Sequence, residues 1–127
     1  MNLSDYFETT QGTGILATSN SAGRVDIAIY SRPHFTDEDT VAFIMRQRLT
    51  HENLHSNPHA AYMFIEKGPG YKGKRLYLTK LREETDSALI DSLRRKDGKH
   101  KAKSDEKSFL VHFHIDRIRP LVGDKDR

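Results

Sequence analysis

The 127-residue chain contains no cysteine and no tryptophan, and only four prolines. Without cysteine, disulfides, thiolate metal sites and cysteine nucleophiles are all excluded. No apolar run approaches the roughly 20 residues that a membrane-spanning helix requires. The basic segment that opens a signal peptide is also missing from residues 1–11, which instead carry Asp5 and Glu8. We therefore expect a cytoplasmic protein that does not depend on disulfides or on a membrane.

Charged residues are plentiful, at 31% of the chain, whereas the hydrophobic fraction of 35% is low for a globular protein. The apolar residues nevertheless cluster in short runs, which favours a folded domain with a solvated surface over disorder. The length suits one domain over residues 1–127. Basic residues gather at 94–107, as in a nucleic-acid-binding patch or a solvated loop. Because no aromatic side chain interleaves these charges, we favour the loop and expect no nucleic-acid partner.

Hydrophobic periodicity predicts a mainly β chain in which small helices connect short strands. The predicted strands cover residues 14–20, 25–31, 40–45, 59–66, 74–80 and 109–115, and Pro33 ends the second of them. Helices are predicted near the N-terminus, over 50–57 and over 83–96, the last with Thr85 as its cap. Short sequential strands of this kind are typical of an antiparallel barrel or sandwich, not of a doubly wound sheet.

The segment at residues 46–58 matches a metal-binding pattern. His51, Glu52 and His55 fit the H-E-x-x-H motif of zinc hydrolases, in which two imidazoles lie one helical turn apart. The predicted helix is short and polar, however, and Pro58 ends it soon after His55. A third ligand would have to be a carboxylate or another histidine, and no spacing singles out one of His34, His59, His112 and His114. Zinc hydrolysis is therefore a remote alternative.

The front of the same segment suggests anion binding instead. Arg46 and Arg48 are two residues apart at the end of a predicted strand, so their side chains leave it on the same face. Thr50 offers a hydroxyl at the start of a helix whose first N–H groups have no partner within the helix. A phosphate there would gain charge-assisted hydrogen bonds and the favourable end of the helix dipole. Two solvated arginines beside an ordinary helix cap would give the same spacing, and the residues alone leave both interpretations open.

Several segments in order resemble the flavin-binding split barrels related to pyridoxamine 5′-phosphate oxidase, which include small bacterial FMN-binding proteins. The matching segments are Gly-Ile-Leu-Ala-Thr at 14–18, then residues 23–30 and 41–45, and residues 49–61 with their Asn-Leu and Asn-Pro pairs. The resemblance implies a six-stranded antiparallel split β-barrel of Greek-key type. It also implies a homodimer that binds FMN at the subunit interface.

The resemblance also assigns a set of cofactor-binding residues. The phosphate would be bound by Arg46, Arg48, Leu49 and Thr50, which follow Met45, and this agrees with the anion interpretation. The second strand would run beside the isoalloxazine, where Arg32 could stabilise the negative charge of reduced flavin. The full predicted set is Ile29, Tyr30, Ser31, Arg32, Met45, Arg46, Arg48, Leu49, Thr50, Tyr71, Lys72 and Lys74. The last three would approach from a hairpin, in the same chain or in the partner's site. His34, just after Pro33, is a further candidate proton donor.

Two departures from the family pattern bear on the reaction. The phosphate segment of pyridoxamine 5′-phosphate oxidase is usually Ser-Arg-Lys, whereas this chain has Arg48, Leu49 and Thr50. The longer C-terminal segment that holds that enzyme's substrate residues has no counterpart here. We therefore expect an FMN-dependent oxidoreductase that acts on an unidentified small substrate and is not a true pyridoxamine 5′-phosphate oxidase. The alternative is a non-catalytic module that binds a flavin or another phosphorylated ligand.

Overall fold

The computed structural model describes residues 2–96 and 107–123. Three helices and seven strands follow one another in these ranges. They are α1 (Leu3–Thr9), β1 (Gly12–Ser19), β2 (Val25–Tyr30), β3 (His34–Asp37), β4 (Thr40–Arg46), α2 (Leu49–Ser56), β5 (His59–Glu66), β6 (Gly73–Glu84), α3 (Ser87–Lys96) and β7 (Ser108–Pro120). None of the helices in these ranges is long and apolar enough to span a membrane. Most of the basic segment at 94–107 lies outside the described residues.

The strands form one antiparallel sheet in the order β2-β1-β5-β6-β7-β4-β3. This arrangement fits the predicted split barrel, but the predicted count of six strands is wrong, because the described residues form seven. The additional strand is β3, which begins directly after Pro33 and pairs with β4 through His34 and Ala42. Pro33 ends β2 as predicted, but the chain becomes extended again at once, since pairing with β4 compensates for a short, polar sequence.

The core lies where alternate residues of the central strands meet α1. Leu16, Tyr62 and Leu76 are almost completely buried, and Phe7 of α1 packs among them. The ring of Phe7 meets that of Phe64 edge-on, with 5.1 Å between centroids. Burial of such aromatic side chains stabilises the fold through their large apolar area and their ring geometry. The helix predicted at the N-terminus is thus confirmed, with Asn2 as its cap.

The helix predicted over 83–96 begins four residues later than expected. Glu83 and Glu84 belong to β6, where they pair with Val111 and Leu110 of β7. The cap of α3 is Asp86 instead of Thr85, since an Asp86 carboxylate oxygen accepts a hydrogen bond from the Leu89 N–H. Pairing with a distant strand therefore overrides a local sequence that resembles the acidic start of a helix.

Candidate functional site

The turn between β4 and α2 forms the front of the predicted phosphate site. Arg46 ends β4 and is half-buried, and exposed Arg48 is the N-cap residue of α2, without a side-chain capping bond. Leu49 opens the helix, so Thr50 lies inside the first turn and is not the cap that the sequence suggested. The first bond within the helix runs from the Glu52 N–H to the Arg48 carbonyl, at 3.0 Å. The Arg48 N–H donates to the Arg46 carbonyl at 2.8 Å, so the N–H groups that can face an anion at this helix N-terminus are those of Leu49, Thr50 and His51.

Thr50 is buried and already hydrogen-bonded. Its hydroxyl donates to an Asp26 carboxylate oxygen at 3.3 Å. Burial raises the pKa of Tyr30, the neighbouring Thr50 hydroxyl partly offsets this effect, and the Asp26 charge adds a smaller upward effect, so the Tyr30 hydroxyl stays protonated. Asp26 was not predicted, although it shares the inner face of β2 with Tyr30 by strand alternation. An anion at this turn would depend on the arginines and the helix N–H groups, because a carboxylate already occupies the Thr50 hydroxyl.

The end of β2 borders a cavity of about 280 Å³. Three predicted residues line it, namely Tyr30, Ser31 and Arg32, together with the start of β1. Gly14 is required there, since a Cβ atom would lie 2.5 Å from the Tyr30 carbonyl oxygen and still closer to the Tyr62 hydroxyl. The Tyr62 hydroxyl donates to the Ser31 carbonyl at 3.1 Å, which fixes the backbone where β2 ends. The structure thus brings three of the twelve predicted residues together around a cavity.

The Arg32 guanidinium has structural partners at the C-terminal end of α1. One of its nitrogens donates to the carbonyls of Phe7, at 2.8 Å, and Glu8, at 3.1 Å. This is the end of a helix at which positive charge is favourable. Arg32 also borders a second cavity of about 310 Å³, whose lining includes His34. Stabilisation of reduced flavin by Arg32 and proton donation by His34 both stay predictions.

Other predicted residues lie apart from the β4–α2 turn or present no side chain to it. Met45 is buried in the core, which leaves only its backbone for a cofactor. Lys74 pairs with Phe64 and lies with its ammonium 4.7 Å from the centre of the Tyr6 ring. The sheet order puts three strand spacings, about 14 Å, between β6 and β2. Tyr71, at 84% exposure, and the exposed Lys72 lie on the same hairpin as Lys74. The base of this hairpin lies beside the start of β1, where the Lys67 N–H donates to the Gln11 carbonyl at 2.9 Å.

The outer face of β2 is apolar and exposed. Val25, Ile27 and Ile29 alternate along this edge strand with exposed fractions of 81%, 71% and 79%. Leu49, at the start of α2, is also half exposed. Ile29 and Leu49, which both belong to the predicted cofactor-binding set, therefore lie on a surface that is unusually apolar for the edge of a sheet.

The two histidines of the H-E-x-x-H pattern meet an unexpected carboxylate. The buried His51 Nε2 lies 3.0 Å from Glu83 Oε2 and 3.2 Å from Oε1, and the exposed His55 Nε2 lies 3.5 Å from Oε1. Glu52, the acid within the pattern, is exposed. Burial raises the pKa of Glu83, but hydrogen bonds from Lys80 and His51 outweigh this effect and lower it to about 2. The carboxylate that the sequence could not single out is thus Glu83, which was hidden by the incorrect helix prediction.

Three other histidines considered as third ligands have hydrogen-bond or ion-pair partners outside this cluster. His112 is paired with Glu84, and His114 lies between Asp39 and Asp116. The His59 ring is 3.3 Å from the Thr79 hydroxyl. Among the described residues, His51, His55 and Glu83 are the group whose ligand atoms all lie within 4.8 Å of one another.

Comparisons with known proteins identify the fold. No protein-family model and no curated protein sequence matches the chain. An FMN-binding protein from Syntrophomonas wolfei subsp. wolfei is similar in structure, with a TM-score of 0.78, 17% identity, and coverage of 96% of this chain and 85% of that one. An F420 reductase gives a TM-score of 0.76 at 14% identity, with coverage of 93% and 97%.

The heme storage protein HutZ from Vibrio cholerae is also similar, with a TM-score of 0.68, 17% identity, and coverage of 94% and 95%. Proteins described as putative pyridoxamine 5′-phosphate oxidases are among the further matches. Structural similarity at sequence identities this low establishes a shared fold and leaves the identity of the ligand open. The chain has the fold of FMN-binding and pyridoxamine 5′-phosphate oxidase-like proteins, which confirms the resemblance predicted from its sequence.

Proposed function

We propose that this protein binds FMN and is an oxidoreductase of the pyridoxamine 5′-phosphate oxidase-like superfamily, acting on a small substrate. One observation carries the proposal. Strand β2 links the two parts of the predicted site, because its Asp26 accepts a hydrogen bond from Thr50 at the β4–α2 turn while Tyr30, on the same face of the strand, lines the cavity at its end. A ligand with a phosphate at one end and a flat ring system at the other fits this pair of sites. The shared fold with an FMN-binding protein supports the choice of FMN.

The residues present have distinct tasks in this proposal. Arg46, Arg48 and the N–H groups of the first turn of α2 would bind the phosphate by charge-assisted hydrogen bonds. The protonated Tyr30 hydroxyl is a donor, and Asp26 keeps Thr50 oriented. Backbone groups from Ile29 to Arg32 would border the ring system. When bound, FMN supplies the redox chemistry, and the protein contributes orientation and electrostatics.

A second copy of the chain would complete the site. The cavity of about 280 Å³ is just below the range of roughly 300–1,000 Å³ that is usual for small-molecule sites. The exposed side chains of Val25, Ile27 and Ile29 give an apolar surface that a partner could bury. In a homodimer built on this surface, Tyr71, Lys72 and Lys74 of one chain would reach the site of the other. This arrangement accounts for their distance from the turn within a single chain.

A non-catalytic role in flavin storage or transfer is the second candidate. It is favoured by the structural similarity to HutZ, a heme storage protein with this fold. The two candidates predict the same bound cofactor but different redox behaviour.

The experiment is a titration of FMN into the purified protein, monitored by absorbance and flavin fluorescence. We expect a yellow protein, and an Arg46→Ala/Arg48→Ala variant with FMN affinity at least about tenfold weaker, because two charge-assisted contacts are lost. Arg82→Ala is the matched control, since Arg82 is an exposed arginine paired with Glu84 on another strand. A colourless protein that does not bind added FMN, or equal affinities for the variant and its control, would contradict the proposal.

A second measurement separates the two candidates. The FMN-loaded protein is mixed with reduced nicotinamides and then with a panel of electron acceptors. Catalytic turnover supports the oxidoreductase, whereas a flavin that none of these donors reduces favours the storage module. Sedimentation of the wild type and of an Ile27→Asp variant tests the dimer, which we expect the buried charge to dissociate.

A further inference from the structure

The cluster formed by His51, His55 and Glu83 has no task in the proposed flavin site. His51 and His55 are one turn apart on α2, so both imidazoles project from one face of the helix, with 4.5 Å between ring centroids. Glu83 comes from β6 and brings its carboxylate to both rings. Two elements that are distant in sequence thus present three metal-binding side chains to one point.

The separations between these donors match those around a small metal ion. Two ligand atoms about 2.1 Å from a tetrahedral ion are separated by about 3.4 Å. Both histidine nitrogens lie near the same Glu83 oxygen, Oε1, at 3.2 Å for His51 and 3.5 Å for His55. The 3.5 Å separation at His55 is long for a hydrogen bond, so hydrogen bonding alone does not account for the position of the second ring. A small rotation of the exposed His55 would bring its nitrogen to the ion.

The cluster also has the rigidity and the access that a metal site requires. The His51 ring stacks on Phe109 with 4.0 Å between centroids and 17° between planes, which fixes the direction of its nitrogen. His55 is 57% exposed, so an ion can enter from that side and keep a fourth position for water. Lys80 donates to the same Oε1 at 2.7 Å, so an ion bound to that oxygen would have to displace the ammonium. The second oxygen, Oε2, lies 3.0 Å from the His51 Nε2.

We propose that His51, His55 and Glu83 bind one divalent transition-metal ion of the Zn²⁺ type. Two imidazole nitrogens and one carboxylate oxygen are ligands that Zn²⁺ accepts, whereas Mg²⁺ and Ca²⁺ prefer oxygen alone. The ligand set differs from that of the sequence motif, because Glu83 and not Glu52 supplies the carboxylate. Metal at this site would tie α2 to β6 and so fix the helix whose first turn forms the proposed phosphate site. The metal site does not depend on flavin binding.

The test is a titration of Zn²⁺ into chelator-treated protein, followed by calorimetry and by X-ray absorption at the zinc edge. We expect one ion per chain, two imidazoles in the absorption spectrum, and a higher melting temperature when zinc is present. His55→Ala and Glu83→Gln should each weaken binding at least about 100-fold, because each removes one of three ligands. His59→Ala is the control and should leave zinc binding unchanged, since His59 is an exposed histidine three residues beyond the end of α2.

The outcomes separate a built site from surface binding. Zinc binding that is equally strong in His55→Ala and His59→Ala, or a spectrum without imidazole ligands, would overturn the proposal. The exposure of His55 keeps its variant folded, which a melting curve without metal verifies. Because the readout is zinc itself, failure of this test leaves FMN binding unaffected, and failure of FMN binding leaves the zinc titration valid.

Discussion

Two consecutive residues of β6 bind two buried histidines on opposite faces of the sheet. Glu83 meets His51 of α2, with 3.0 Å between nitrogen and oxygen, and Glu84 meets His112 of β7 at 2.7 Å. Both histidines are 3% exposed. Strand alternation explains the opposite directions, since neighbouring side chains on a strand point to opposite faces. The same chemical pair therefore occurs twice, in surroundings that differ.

The surroundings give the two pairs different capacities. His51 has a second imidazole and a lysine nearby, and all three cationic or metal-binding groups converge on Glu83. His112 has only Glu84, and its buried Nδ1 has no hydrogen-bond partner among the described residues. Hydrogen bonds from Arg82 and His112 lower the pKa of Glu84, so both glutamates are ionised at neutral pH. A buried pair with additional ligands is a candidate binding site, whereas a buried pair without them only links two strands.

The largest expected effect tests the first pair. His51→Ala should lower the free energy of unfolding by about 3 kcal/mol, because it removes a buried ring stacked on Phe109 and one hydrogen bond to Glu83. Urea denaturation of the metal-free protein measures this effect. His55→Ala, on the exposed side of the same cluster, is the control and should change the stability by less than about 0.5 kcal/mol. Equal losses for the two variants would remove the distinction between the buried and the exposed ring.

The second prediction concerns acid and the Glu83 carboxylate. A pKa lowered from 4.5 to about 2 means that ionised Glu83 stabilises the folded state above pH 4.5. This stabilisation is lost as the pH falls from 4.5 towards 2. Partial exposure weakens it, so we expect about 1 kcal/mol. The wild type should lose this amount relative to Glu83→Gln between pH 6 and pH 3, as measured by urea denaturation with chelator present. Parallel pH profiles for the two proteins would show that the carboxylate is not stabilised by its neighbours.

The third prediction tests the second pair. His112→Leu should change the free energy of unfolding by less than about 1 kcal/mol, because the leucine removes a polar ring atom without a partner and keeps most of the buried volume. Glu84 retains Arg82 as a partner after the substitution. Denaturation of His112→Leu and His51→Leu side by side gives the comparison. A loss for His112→Leu that matches or exceeds the loss for His51→Leu would reverse our interpretation of the two pairs.

The sequence predicted the fold more completely than it predicted the site. Alternation of apolar residues located most strands, because that signal is local, and β5 has the predicted bounds of 59 and 66. The short polar strand β3 was missed, since its pairing with β4 supplies the order that its own sequence lacks. Glu83 was assigned to a helix for the same reason, because its strand character depends on Val111. Arg46, Arg48 and Thr50 were predicted as site residues from their spacing, whereas the Asp26 carboxylate at Thr50 depends on contact between β2 and α2.

The smallest expected effect comes from a third histidine–carboxylate group, which lies at the surface. His114 lies 2.8 Å from Asp116 and 3.3 Å from Asp39, and the hydrogen bond to Asp116 and both negative charges raise its pKa above 6.5. A raised pKa means that protonated His114 stabilises the folded state below pH 6.5 and that this contribution disappears as the pH rises through the folded-state pKa.

The midpoint of urea denaturation should therefore differ between the wild type and His114→Gln more at pH 5.5 than at pH 9. Because water screens these charges, the difference should be the smallest of the series. A larger pH-dependent difference for His114 than for Glu83 would mean that burial does not determine the strength of these pairs.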